Sequence, residues 1–151
     1  MRNPFSLHDK LAKHWLSHAA LPSHPASDND IAAFEQTHRV CLPSDLKEYL
    51  CTLNGMANDP DDGEFRFVPL IQMCPEAEIN GVGRAKKFLF VDYLQLSYWC
   101  CIELDQQKKE TTKVFLGGTV DEDRFVADSL ADFFRAYIED PESLMIRGKA
   151  K

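Results

Sequence analysis

Apolar residues recur at helical spacing at the start of the chain. Leu7, Leu11 and Trp15 lie four residues apart, and this pattern predicts a helix over residues 6–20 with one buried face. Two prolines within residues 21–25 then prevent the helix from continuing. We therefore expect an N-terminal helix that a short linker joins to the rest of the chain.

A second helix is predicted to begin near Ser27 or Asp28, because either side chain can accept hydrogen bonds from the free amides of a first helical turn. Ile31, Phe34 and His38 would share one face of this helix. The positions between them are mostly polar or small, so the pattern indicates a surface helix that packs through one side.

A third helix has the clearest boundaries. Pro43 suits its first turn, where the missing N–H is not needed, and Gly55 after Asn54 suits a left-handed end. Between them runs an apolar stripe at i, i+3, i+4 and i+7 spacing, formed by Leu46, Tyr49, Leu50 and Leu53. Both the ends and the buried face of this helix are therefore predicted.

Short apolar runs replace the helical pattern in the middle of the chain. An acidic turn precedes four segments that predict strands, at residues 65–70, 88–93, 97–104 and 112–116. In the third segment, alternate residues would lie on one face: Tyr98, Cys100, Ile102 and Leu104. The links between the later strands are short, which favours antiparallel pairing, since a parallel crossover needs a dozen residues or more.

The last helix is predicted from Ser129 onward. Ser129 followed by Asp132 resembles a capping box. An apolar stripe follows, formed by Leu130, Phe133, Phe134, Tyr137 and Ile138, and Pro141 ends it. Helices first, strands in the middle and a helix last predict an α+β fold, an antiparallel β-sheet of about four to six strands flanked by N-terminal helices and a C-terminal helix.

A chain of 151 residues is most simply one domain. We expect a single domain over residues 1–151, with a core over about residues 27–140, a helical extension at 1–21 and a loose tail at 148–151. No apolar run approaches the ~20 residues that span a bilayer. The first residues lack the continuous apolar segment of a secretory signal, so we expect a cytoplasmic protein.

The chain is acidic, with 24 Asp and Glu against 17 Lys and Arg and a net charge of −7. This balance disfavours general affinity for nucleic acid or an anionic membrane, because both carry negative charge. It is compatible with a basic protein partner. The hydrophobic content of 44% is that of a globular protein rather than a disordered chain.

Few side chains suggest chemistry. The five cysteines show no CxxC spacing, which argues against a disulfide framework or a structural zinc site and favours small buried thiols. His14 and His18 are four residues apart, a spacing that can place two imidazoles on one metal, but no HExxH motif accompanies them. We interpret them as a solvated pair and expect no catalytic residue, metal or cofactor.

Four segments that together span residues 27–139 carry information about the family. The most specific runs from Leu42-Pro43 through Leu46 and Leu50 to Asn54-Gly55. The others are Ile31-x-x-Phe34-Glu35, the strand pair of Phe90-Val91-Asp92 with Tyr98-Trp99-Cys100, and Val126-Ala127-Asp128-Ser129-Leu130-Ala131-Asp132-Phe133. In this order the segments resemble the SUKH superfamily, which includes yeast cell-wall-synthesis regulators linked to killer-toxin resistance and many bacterial immunity proteins. Leu94-Gln95-Leu96 stands where such strand pairs commonly have a glycine-rich turn.

The resemblance implies an antiparallel sheet flanked by helices and a role in protein binding rather than catalysis. Bacterial members commonly bind and silence a cognate toxin, often a nuclease. The resemblance therefore implies an immunity protein that neutralises a toxin by stoichiometric binding. Two alternatives stay open: a regulatory or adaptor module that binds endogenous signalling or cell-wall-synthesis proteins, and, more distantly, a small enzyme or ligand-binding domain.

Acidic loops are the candidate partner contacts under this hypothesis. A nuclease toxin presents a basic surface shaped for phosphates, and carboxylates can meet such a surface with gains in association rate and specificity. The candidates are Asp59, Asp61, Asp62 and Glu64 in one loop and Asp121, Glu122 and Asp123 in another. The residues of the Leu42–Gly55 motif are instead interpreted as scaffold.

Overall fold

Five antiparallel strands form one sheet, with helices before and after it. The computed structural model describes residues 6–81, 86–117 and 124–144. The helices are α1 (Leu7–Ser17), α2 (Asp28–His38), α3 (Ser44–Thr52), the short α4 (Ala77–Asn80) and α5 (Leu130–Glu139). The strands lie in chain order and are β1 (Phe65–Phe67), β2 (Lys87–Tyr93), β3 (Tyr98–Glu103), β4 (Val114–Leu116) and β5 (Arg124–Ala127). The predicted α+β fold is confirmed.

The helix ends follow the residues that the sequence offers for capping. At α2, Ser27 and Asp30 form a reciprocal capping box: the Ser27 hydroxyl accepts from the Asp30 amide at 3.1 Å, and the Asp30 carboxylate accepts from the Ser27 amide at 2.9 Å. Pro43 directly precedes α3. After α3 the chain turns through left-handed residues at Asn54 (φ 54°) and Gly55 (φ 73°), and this leads it towards the sheet.

The core lies between one face of the sheet and the helices. Phe67 of β1 is central: its ring centroid is 5.2 Å from that of Trp15, 4.8 Å from that of Tyr137 and 5.8 Å from that of Phe90. Tyr49 of α3 joins the cluster, 5.7 Å from Phe90. All of these rings are buried. Aromatic pairs at such separations add to the gain from burial, so α1, α3 and α5 are held on the same face.

The opposite face of β3 is buried as well. Trp99 and Cys101 alternate with the core-facing residues of the strand, yet both are buried. Oε2 of Glu76 accepts hydrogen bonds from Trp99 Nε1 at 2.9 Å and from Cys101 Sγ at 3.5 Å. The segment that carries Glu76 therefore covers this face. The alternating pattern of β3 predicted which residues share a face, but it did not indicate that this distant segment would cover the face of Trp99 and Cys101.

β5 is a strand that the hydrophobic pattern did not predict. It has only four residues, and it pairs antiparallel with β4 through a register shift between Val114 and Phe115. So short a run offers too few alternating positions to be distinguished from the start of the following helix. β1, β3 and β4 are also shorter than the apolar runs that predicted them.

The helices are short, and the first of them packs into the core. α1 and α2 have 11 residues each, and the described ranges hold no helix long and apolar enough to cross a bilayer. Within the predicted N-terminal extension, Leu11 and Trp15 are fully buried, so α1 is part of the core. The predicted loose tail at residues 148–151 lies outside the described residues.

Candidate partner-binding surface

Strand directions bring several chain segments to one end of the sheet. β2 ends and β3 begins at a hairpin, and β1 begins beside them, where Phe65 pairs with Tyr93. β4 ends and β5 begins at this same end, because neighbouring strands alternate in direction. We refer to this region as the hairpin end. Its two main parts are the acidic turn (residues 59–64) and the hairpin tip (residues 94–98).

The acidic turn is organised around a buried carboxylate. Asp61 is only 5% exposed. Its Oδ1 accepts hydrogen bonds from the amides of Gly63 at 2.9 Å and Phe65 at 3.0 Å, while its Oδ2 accepts one from the hydroxyl of Tyr137. The Asp61 carboxylate is thus satisfied inside the fold and fixes the turn. Contacts with a partner from this loop therefore have to come from its neighbours.

The other acids of this loop are exposed. Asp59, Asp62 and Glu64 all present their side chains to solvent. Asp62 Oδ1 lies 2.9 Å from Nδ1 of His18 at the end of α1. Within the described part of the chain, neither Asp59 nor Glu64 has a basic side chain at ion-pair distance. The loop therefore offers a partner three carboxylates on a rigid turn.

The second predicted acidic loop is not part of the described chain. Asp121, Glu122 and Asp123 lie outside the described residues. They stand in the sequence between β4 and β5, whose described ends are both at the hairpin end. The acidic turn precedes β1 at one edge of the sheet, and β5 forms the other edge, about 19 Å away at the usual strand spacing.

The hairpin tip is apolar, exposed and conformationally unusual. Leu94, Leu96 and Tyr98 are 39%, 42% and 55% exposed. Leu94, Gln95 and Leu96 have φ angles of 55°, 54° and 66°, so three consecutive residues other than glycine are left-handed. The tip adjoins the acidic turn, because the Leu94 amide donates a hydrogen bond to the Glu64 carbonyl at 3.1 Å.

Comparison with known proteins identifies the family. The sequence model of the SMI1 / KNR4 family (SUKH-1) matches residues 25–136. The chain belongs to this family. A search of curated proteins gave no match. The residues that match the SUKH-1 model include α2, α3 and the whole described sheet, whereas α1 precedes them.

The Leu42–Gly55 motif of this SUKH-1 domain has structural roles. Leu46, Tyr49 and Leu50 on α3 are fully buried. Asn54 joins two loops, since its Oδ1 accepts from the Leu70 amide and its Nδ2 donates to the His24 carbonyl, both at 2.8 Å. These contacts hold the end of α3 against the loop that follows β1 and against the linker that precedes α2. Leu46, Tyr49, Leu50 and Asn54 of this motif therefore serve the fold, whereas Ser44, Glu48 and Cys51 on the outer side of α3 are exposed.

The predicted solvated pair, His14 and His18, is only partly solvated, because the two rings contact each other and His14 also contacts Tyr137. Their ring centroids are 4.3 Å apart, and the ring of His14 lies 4.9 Å from that of Tyr137. Burial lowers the pKa of His14, and the nearby His18 lowers it further, while Asp61 and Asp62 oppose these effects. The described ranges contain no group of three His, Cys, Asp or Glu residues that could hold a metal ion. The pair therefore couples α1 to the acidic turn.

The cysteines are free thiols in different surroundings. Cys100 and Cys101 are buried in β3, as expected, and burial raises the pKa of Cys100 to about 12. Burial also raises the pKa of Cys74, with a contribution from Glu78. Cys51 is exposed, so the expectation of a buried thiol was wrong there. A thiol with a raised pKa is a poor nucleophile at neutral pH, since the thiolate is the reactive form.

An exposed apolar residue also occurs at the opposite end of the sheet. Ile71, which is 91% exposed, lies in the turn after β1 and borders a groove of about 330 Å³ beside Phe34 of α2. Unlike the hairpin tip, Ile71 is a single side chain, and isolated apolar residues on a surface are common.

The hairpin tip is the candidate contact that the sequence analysis missed. The hydrophobic pattern placed residues 97–104 in a strand and left Leu94-Gln95-Leu96 as a link. The available signal was the absence of glycine from that link, which stands where related strand pairs commonly have a glycine-rich turn. Its position beside the acidic turn depends on strand pairing between distant segments, and no local pattern predicts that.

Proposed function

We propose that this SUKH-1 domain is an immunity protein that neutralises a cognate bacterial toxin by stoichiometric binding, with no chemistry of its own. Membership of the family supports the proposal, because bacterial members of the wider superfamily commonly bind and silence toxins. A nuclease is the toxin class that fits best. Its surface is basic to hold phosphates, whereas this chain carries a net charge of −7.

The exposed carboxylates of the acidic turn are the observation that carries this proposal. Asp59, Asp62 and Glu64 are exposed on a turn whose shape is fixed by the buried Asp61. Exposed carboxylates can attract a basic partner from a distance, and a turn whose backbone is fixed before binding loses little backbone freedom when the complex forms. A rigid sheet with recognition loops at one end is a suitable platform for such a contact.

The size of the domain is sufficient for specific inhibition. A standard interface takes about 800 Å² from each partner. The chain exposes 8349 Å², so such an interface would cover roughly a tenth of its surface. The acidic turn and the hairpin tip would supply part of this area.

Co-expression with a toxin tests the proposal directly. The toxin candidate is the product of the gene adjacent to the one that encodes this chain, expressed from an inducible promoter in a bacterial host. We expect growth arrest when the toxin is expressed alone and restored growth when this chain is present. Purified chain and a catalytically inactive toxin variant should then form a complex of fixed stoichiometry in size-exclusion chromatography with light scattering.

Two results would count against the immunity role. Growth that stays arrested, together with no complex in vitro, would contradict it. If the chain does not bind the toxin, but the same endogenous signalling or cell-wall-synthesis proteins co-purify with it repeatedly, the adaptor alternative would be supported instead. A toxin variant without catalytic activity, expressed alone, controls for effects of overproduction on growth.

A further inference from the structure

We propose that the hairpin tip anchors the toxin. Leu94 and Leu96 would enter an apolar recess on a protein surface, and lysine and arginine side chains around that recess would meet the acidic turn. This inference rests on the proposed function and adds to it the surface that binds and the chemistry of the partner. The partner is thus a basic protein with an apolar recess at the centre of its contact face.

Exposure is the first reason to place the anchor at the hairpin tip. Leu94, Leu96 and Tyr98 occur within five residues and are each more than a third exposed. Tyr98 continues a line of rings across the strands: its centroid is 6.1 Å from that of Tyr93, which is 4.4 Å from that of Phe65. Clustered apolar side chains on a surface are typical of interaction sites, whereas single ones are not.

The backbone of the tip is the second reason. Glycine is the usual residue wherever a chain turns left-handed, because it has no Cβ to clash. This hairpin has three consecutive left-handed residues with full side chains, and two of them are exposed leucines. Glycine at these positions would favour the turn but would remove the apolar side chains. Strained residues of this kind are concentrated where proteins contact ligands.

The negative charge beside the hairpin tip indicates which charge a partner needs. The hydrogen bond from Leu94 to the Glu64 carbonyl places the tip directly beside the acidic turn, with its exposed Asp59, Asp62 and Glu64. An apolar centre beside a charged rim is the usual anatomy of a protein interface. A partner that covers this surface therefore needs positive charge next to its apolar recess, or the carboxylates would be desolvated without compensation.

The same charges argue against other occupants. Nucleic acid and anionic membranes are negatively charged and would be repelled by the acidic turn. A second copy of this chain is disfavoured too, because a twofold contact through the tip would bring the two acidic turns towards each other. A basic protein is the one class for which both the apolar tip and its rim are favourable.

Calorimetry and association kinetics against the purified, catalytically inactive toxin test the inference. We expect Leu94→Ser and Leu96→Ser each to raise Kd by about tenfold or more, mainly through faster dissociation. Asp59→Asn combined with Glu64→Gln should slow association by about tenfold at low salt and much less at high salt. The leucine variants would then change mainly the dissociation rate, and the acidic variant mainly the association rate.

Matched control variants lie elsewhere on the chain. Ile71→Ser removes an exposed apolar side chain at the opposite end of the sheet, and Glu48→Gln removes an exposed carboxylate from α3. Both should bind like the unmodified chain. Thermal melts check that every variant is folded. Hydrogen exchange of the unmodified chain gives an answer without any substitution, since binding should protect the amides of residues 59–64 and 93–98.

Each outcome bears on a different claim. If the unmodified chain binds no toxin, the proposed function and this inference both fall. If it binds but folded hairpin variants keep the same Kd and exchange protection appears near Ile71, only the inference is overturned. Dimerisation that Leu96→Ser abolishes, or binding to vesicles of phosphatidylglycerol, would also overturn it.

Discussion

The hydroxyl of Tyr137 donates a hydrogen bond to Oδ2 of Asp61, 76 residues earlier in the chain. This contact fastens the acidic turn to the last helix. Burial, together with the neighbouring Asp61 carboxylate, raises the pKa of Tyr137, so its hydroxyl stays protonated and remains a donor. The geometry of the acidic turn is thus set by a helix that follows the whole sheet.

Tyr137→Phe tests this relationship, because it removes the donor and keeps the ring. The substitution leaves one oxygen of the buried Asp61 carboxylate without its partner, so we expect a loss of about 1–3 kcal/mol in the free energy of unfolding. Urea denaturation followed by tryptophan fluorescence measures it. Tyr98→Phe is the control: its side chain is 55% exposed, and the change should stay within about 0.5 kcal/mol. Equal effects of the two variants would show that the Asp61 contact adds nothing to stability.

Local patterns were sufficient to predict most elements of the fold. Capping residues and apolar spacing predicted α2, α3 and α5, because a helix is specified by neighbours within four residues. The same patterns predicted four strands but gave three of them too many residues, and they missed β5. Strand ends depend on pairing partners far away in the chain, so they cannot be derived from one segment.

The candidate site was only partly predictable for the same reason. Charge identified the acidic turn, but nothing local to Asp61 distinguishes it from the exposed Asp62 beside it. Its burial depends on Tyr137, which is distant in sequence. The hairpin tip became a candidate only when strand pairing placed it next to Glu64. Residues that act through long-range contacts are therefore those that the sequence analysis missed or misjudged.

The end of α3 should tolerate no side chain at Gly55. Its φ is 73°, and a Cβ there would lie 2.7 Å from the backbone oxygens of Phe67 and Val68. Gly55→Ala combines an unfavourable left-handed backbone with this clash, so we expect a loss of about 2–5 kcal/mol. The midpoint of urea unfolding measures the effect.

Gly63→Ala provides the matched control for Gly55. At this position the nearest atoms to a Cβ are Asp61 Oδ1 at 3.4 Å and a ring carbon of Phe65 at 3.8 Å, which are ordinary contacts. We expect a change within about 1 kcal/mol. A Gly55→Ala variant as stable as Gly63→Ala would mean that the chain can relax around the end of α3.

His14 should make stability depend on pH. The pKa of His14 is lowered in the folded protein from its ordinary value of 6.5, first by burial and then by His18. Below about 6.5 the unfolded chain therefore binds more protons at this site than the folded chain. This contribution is fully present above pH 6.5 and is lost as the pH falls through the lowered folded value. His14→Gln should reduce the fall in unfolding free energy over that range.

The measurement is a series of urea titrations at decreasing pH for the unmodified chain and the variant. The groups that face His14 are His18, Asp61, Asp62 and Tyr137, and all of them are retained. His24→Gln changes an exposed histidine and controls for the replacement of an imidazole by an amide. If His14→Gln and the unmodified chain lose stability in parallel, the coupling of α1 to the acidic turn does not involve this proton.

Gln95→Gly should stabilise the chain, which is unusual for a substitution to glycine. The φ of Gln95 is 54°, a conformation that disfavours any side chain with a Cβ, and glycine removes that cost. The greater freedom of glycine in the unfolded chain offsets part of the gain, so we expect a net increase of about 0.5–1 kcal/mol. Gln106→Gly is the matched control, because Gln106 is also exposed, in the β3–β4 connection, but is not left-handed. It should lower stability by up to about 1 kcal/mol. If both variants were destabilised alike, the left-handed hairpin would carry no strain, and one of the two reasons for treating its leucines as a binding anchor would be removed.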